Sequence, residues 1–80
     1  MTPKWVVKTV QALDDYKLLI TFHYDEKKIY DMKPLLEYNI FKPLKNIVFF
    51  NTVHTDGCTV VWNEEIDIDP ECLYNEGISV

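Results

Sequence analysis

Lys17-Leu18-Leu19-Ile20-Thr21-Phe22-His23-Tyr24 decides how this chain is read. Leu18, Ile20, Phe22 and Tyr24 fall on one side of an extended backbone, and Leu19, Thr21 and His23 on the other. That period of two predicts a strand with one apolar face. Upstream, residues 5–13 (WVVKTVQAL) are rich in β-branched and apolar types, and Asp14-Asp15 supplies turn chemistry. Downstream, Asp25-Glu26 turns the chain into Lys28–Met32, without the glycine or asparagine that left-handed turn positions prefer. The three segments predict an antiparallel meander.

A sheet with one apolar face needs a second layer. Pro34 suits the first turn of a helix, with Asp31 as its cap, so a short helix is expected from about Lys33 to Tyr38. Pro43 limits any second helix to a turn around Phe41 to Leu44. Leu35, Leu36, Ile40, Phe41 and Leu44 are the expected cover for the sheet. Residues 47–55 (IVFFNTVHT) read as a further strand, Asp56-Gly57 as a hairpin turn, and Cys58–Trp62 as the returning strand. In Asn63–Asp69 acids alternate with isoleucines, which predicts an edge strand with Ile66 and Ile68 inward. Asp69-Pro70-Glu71 combines a cap residue, a first-turn proline and a first-turn acid, marking a helical turn through Tyr74. The last residues are expected to fray. The expected fold is α+β: a single domain over residues 1–80, with an antiparallel sheet of four to six strands and a short helical connection packed on one face.

An 80-residue chain buries only about 60–65% of its unfolded surface, so its stability is modest. A hydrophobic content of 48%, with 14% aromatic residues, nonetheless suffices for a core and opposes disorder. The net charge is −5 and unevenly spread: all eight lysines precede residue 46, while seven of thirteen acids follow residue 55. The chain contains no arginine, so the fork that favours phosphate and guanine is missing, and nucleic acid is excluded as a direct partner. No apolar run has the length of a membrane span and the N-terminus lacks a signal-peptide pattern, so no membrane association and a cytoplasmic location are expected.

Chemistry-bearing residues are few. Cys58, Cys72, His23 and His54 are the available nucleophiles and bases, and no motif links them. The spacing of Cys58 and Cys72 is neither a metal nor a redox motif, and it leaves open whether they pair. The acids of NEEIDIDPE fail as a calcium loop, because Ile68 stands where the sixth-position glycine belongs. Only Gly57 and Gly77 are present, too few for a phosphate loop. No catalytic residue, metal ligand or cofactor is therefore expected.

Tyr16 to Phe22, Tyr30-Asp31, Pro34-Leu35-Leu36, Phe41, Leu44 and Phe49, then Val61-Trp62, Asp67-Ile68 and Pro70-Glu71-Cys72-Leu73-Tyr74, form a recognisable series. It resembles the bacterial domain-of-unknown-function family 2442, over about Val7 to Tyr74. Glu26 and the region of Glu65 depart from the family's usual turn glycines. The resemblance implies a small α+β fold like the N-terminal domain of a two-domain protein whose second half is a helix-turn-helix. The 80 residues hold no such second half, so no DNA binding follows. It also implies membership of a two-gene pair, as an antitoxin-like partner, and assigns no catalytic residue. Trp62, Leu73 and Tyr74 are expected as core anchors. Two functions follow as expectations. One is a non-enzymatic interaction module that binds a basic protein or a second copy through Glu64, Glu65, Asp67 and Asp69. The other is a small-molecule binding domain or accessory enzyme subunit, with a pocket near Trp62, Tyr74 and His54.

Overall fold

The computed structural model describes residues 1–80. Strands β1 (Val7–Leu13), β2 (Lys17–Phe22) and β3 (Lys27–Asp31) form the expected meander. Two 3-10 helices (Lys33–Glu37 and Asn39–Lys45) and α1 (Ile47–Phe50) follow. Then come β4 (His54–Thr55), β5 (Val60–Val61), β6 (Asp67–Ile68), α2 (Pro70–Glu76) and β7 (Ile78–Ser79). The strands make two antiparallel sheets, ordered β1-β2-β3-β7 and β4-β5-β6. The fold is thus a small α+β domain, in which the strands expected in one sheet divide between two. A β-bulge between Val7 and Thr9 interrupts the outer strand, and Val7 N–H donates across the gap to Cys58 C=O at 2.9 Å. No helix is long and apolar enough to cross a membrane.

Leu18, Ile20 and Phe22 are completely buried, as their alternation requires. Tyr24 does not join them. The chain leaves β2 at Phe22 and turns through Asp25 at φ 69°, and Tyr24 is 60% exposed with its hydroxyl on Thr2 C=O. The first hairpin has two consecutive left-handed residues, Asp15 and Tyr16. Such a pair suits the right-handed twist of paired strands but costs a non-glycine residue about 1 kcal/mol or more. Tyr16 is held there by tertiary contacts: its ring meets Phe50 edge-on at 5.2 Å, its hydroxyl donates to Lys45 C=O, and its carbonyl accepts from Met32 N–H.

The helical connection covers the buried face, contributing Leu36 and Leu44 to the core, while Ile40 is left exposed. Asp31 accepts from Lys33 N–H at 2.9 Å, and Pro34 lies in the first turn. Residues 47–55 depart from the strand expected of them. Asn46 Oδ1 accepts from Val48 N–H and Phe49 N–H, nucleating α1, so local capping overrides the β-branched composition. Helical spacing sends Phe50 into the core and leaves Val48 74% exposed. Only His54 and Thr55 remain as strand.

Gly57, at φ +95°, makes the expected hairpin turn. Asn63–Ile66 is a turn instead of a strand: Asn63 Oδ1 accepts from Glu65 N–H and Ile66 N–H, which closes it without a glycine. Ile66 and Ile68 point inward as expected. Asp69 caps α2 through Glu71 N–H at 2.9 Å, and the helix runs beyond Tyr74 to Glu76. Instead of fraying, Ile78 and Ser79 pair with Ile29 and Lys28. Gly77 makes that return possible, since a Cβ there would lie 2.7 Å from Leu73 C=O and 3.1 Å from Lys28 Cβ. Gly77→Ala is expected to cost about 1–3 kcal/mol, as overpacking does. Urea denaturation checks it, and an unchanged midpoint would mean that β7 is dispensable.

Candidate functional site

The second sheet gathers the late acids. His54, Val61 and Asp67 are cross-strand neighbours on its outer face, while Thr55, Val60 and Ile68 form the row beneath. The Asn63 turn projects Glu64 and Glu65 beside β6, and both are exposed. A shallow depression of about 320 Å³ is lined by His54, Asp56, Val61, Asn63, Glu64 and Asp67. Of the four acids expected at a binding surface, Glu64 and Asp67 share this depression; Glu65 and Asp69 do not line it. Asp69 is exposed but is occupied as the cap of α2.

The charge of this region is not compensated internally. The ion pairs are Lys8–Asp25, Lys28–Glu26, Lys33–Asp15 and Lys33–Asp31. Every one uses an acid from the first half, so none of the seven acids after residue 55 has a lysine partner. Asp56 is instead steadied by Thr59 N–H and Cys58 N–H, both at 2.9 Å, and these hold its carboxyl below the usual range. His54 Nδ1 lies 3.1 Å from Thr52 C=O, which can only accept, so the proton is on Nδ1 and Nε2 faces away from that bond.

The nucleophile candidates are dispersed. Both cysteines are free thiols, Cys58 exposed in the hairpin and Cys72 half-buried on α2. Cys72 Sγ contacts Glu76 Oε2 at 2.7 Å and Tyr30 Oη at 3.8 Å, and burial followed by the Glu76 contact pushes its pKa up, away from the reactive thiolate. Burial, then Cys72, likewise raises the Tyr30 phenol. No hydrogen bond joins His54 to Cys58, and the exposed His23 ring meets the Tyr24 ring edge-on while its backbone N–H donates to Val6 C=O.

The pocket expected near Trp62, Tyr74 and His54 does not form. Trp62 is buried against Phe50, with ring centroids 5.9 Å apart, and its indole N–H donates to Phe50 C=O at 2.9 Å. Tyr74 lies against Phe22, and His54 lies on the outer face of the small sheet. Of the three, only His54 lines a surface depression. Trp62 and Leu73 are the core anchors expected; Tyr74 is half-buried and does something the sequence did not signal. Lys28 Nζ sits 3.9 Å over its ring and donates to its backbone carbonyl at 2.5 Å, while its hydroxyl donates to Glu26 Oε1. This cluster fastens the C-terminal end of α2 to β3.

No match was found among curated proteins or among solved structures. The profile of one family, described as protein of unknown function DUF2442, matches residues 7–79. That span takes in the meander, the helical cover, the acidic sheet and α2, and on this ground the chain belongs to the DUF2442 family.

Proposed function

We propose that the domain is a non-enzymatic interaction module whose acidic second sheet binds a basic protein partner, as the antitoxin-like member of a two-gene pair would. The supporting observation is the set of late acids without a lysine partner. Exposed charges of one sign add little to the stability of the domain that carries them. They raise the encounter rate with an oppositely charged partner and disfavour nucleic acid. The thiol of Cys72, pushed up by burial and the Glu76 contact, supports a role without catalysis.

Affinity capture from the native host would supply the partner, and association kinetics would test the surface. Glu64→Gln, Glu65→Gln and Asp67→Asn together are expected to slow association about tenfold, within the range of electrostatic steering. Asp69 is kept because it caps α2. Raising salt to 0.5 M, where the screening length is about 4 Å, is expected to slow the parent similarly and the triple variant hardly at all. An association rate indifferent to both changes would reduce the acidic sheet to a solubility device.

A further inference from the structure

The four-stranded sheet is covered on one side only. Leu36 and Leu44 of the helical connection, and Val60, Trp62, Ile66 and Ile68 of the second-sheet region, join a single core with Leu18, Ile20 and Phe22, so both layers lie against the same face. Register identifies the other face: Gln11, Leu19, Ile29 and Ile78 stand opposite one another in a row across all four strands. On one side of that row lie Thr9, Thr21 and Lys27, and on the other Leu13, Lys17 and Asp31. Leu19 and Ile29 are half-buried without packing against the core, and Ile78 is 76% exposed. A sheet face turned to water is ordinarily polar, and three consecutive apolar side chains across its centre mark it as a surface for another layer.

Charge identifies that layer. Lys27 and Asp31 flank Ile29 on β3, both are exposed, and Lys27 makes no ion pair within the chain. Asp31 reaches only Lys33, at 3.7 Å, a lysine it shares with Asp15. We propose that this face packs on the same face of a second copy, about a two-fold axis that runs along the row of Leu19, Ile29 and Ile78. Rotation about that line stacks each apolar residue on its own counterpart and exchanges the two sides of the row, so Lys27 of each copy meets Asp31 of the other. An axis along the strands would instead lay Gln11 on Ile78 and leave Lys27 facing Thr21. Face-to-face sheets sit about 10 Å apart with their strands within about 30° of alignment, a gap that side chains of these lengths span. The patch is roughly 15–20 Å on a side. A standard interface takes about 800 Å² from each partner, so the dimer is expected to be weak, with Kd in the high micromolar range. The contact uses neither the acidic sheet nor its proposed basic partner, so each stands or falls separately.

Sedimentation of the purified protein from micromolar to millimolar concentration is expected to show the mass rising from 9.5 kDa towards twice that. In a mixture of isotope-labelled and unlabelled chains, NMR should show intermolecular contacts between the Ile78 methyls of the two copies and between those of Ile29. Ile78→Lys, at a site already exposed, puts like charges face to face on the axis. It should weaken the dimer about tenfold or more with the circular dichroism retained. Lys27→Glu and Asp31→Lys should each weaken self-association, yet the two variants should associate when mixed, because both cross-pairs are then of opposite sign. A mass fixed at one chain up to millimolar concentration would overturn the proposal. So would a dimer that is indifferent to Ile78→Lys, whose charge variants fail to associate when mixed, or whose intermolecular contacts lie elsewhere. Changes at the Ile29 and Ile78 methyls only on adding a different protein would assign the face to another occupant and equally overturn it.

Discussion

Trp62→Ala is expected to lower the unfolding free energy by about 3–5 kcal/mol, the range for removing a large buried aromatic. Trp62 is 4% exposed, stacks on Phe50 and donates its indole N–H to that residue's backbone carbonyl. The substitution opens a cavity between α1 and the second sheet and leaves the Phe50 carbonyl without its partner. A domain of 80 residues holds a total of about 4–12 kcal/mol, so the substitution removes at least about a quarter of it and at the lower end of that range unfolds the domain at room temperature. Trp62→Phe separates the two contributions. It keeps most of the apolar volume, loses the hydrogen bond and should cost about 1–3 kcal/mol. Thermal and urea unfolding of both variants is the measurement, and a midpoint for Trp62→Ala within a few degrees of the parent would contradict the burial of this ring.

Phe22→Ala should be comparably severe, at about 3–5 kcal/mol, but its consequences are located elsewhere. The Phe22 ring is fully buried at the end of β2 and meets Tyr74 edge-on, with centroids 5.0 Å apart. Tyr74 is in turn the residue through which Lys28 and Glu26 hold α2. Removing Phe22 therefore takes away the floor on which the α2 clamp rests. Hydrogen exchange under native conditions should show α2 and β7 opening before the β1-β2 hairpin does. Uniform acceleration across every amide would mean that α2 is not fastened through Tyr74. Lys28→Met offers a milder comparison: it keeps the stem over the ring but loses the ammonium, and isolates the cation-π and carbonyl contributions.

The correct readings in the sequence all rest on local rules. Alternation at Leu18, Ile20 and Phe22 predicted a buried face because every second side chain of a strand shares a side. Asp56-Gly57 and Asp69-Pro70 marked a turn and a helix start because the conformations and hydrogen bonds they favour are satisfied within a few residues. The misreadings arose where a local preference met a non-local competitor. Residues 47–50 have β-branched and aromatic composition, yet the Asn46 cap and the burial of Phe50 against Tyr16 and Trp62 made them helical. Tyr24 extends a pattern that the turn at Asp25 had already ended.

The candidate site divides in the same way. The presence of an acidic, lysine-free final third is a property of the sequence, as is the inward direction of Ile66 and Ile68 between its acids. That Glu64 and Asp67 join His54 and Asp56 around one depression, while Asp69 is occupied by a helix end, depends on the cross-strand register of β4, β5 and β6.

Sequence by itself determined the meander, its apolar face, the need for a cover and the uneven charge, because each follows from residue type and spacing along one segment. Tertiary structure alone decided that the strands split into two sheets, that the C-terminal segment returns to β3, and that Tyr74 serves as a clamp. The physical reason is that strand partners, edges and ring contacts belong to pairs of distant segments. Which pairs form is settled by how the whole chain shares a small buried volume.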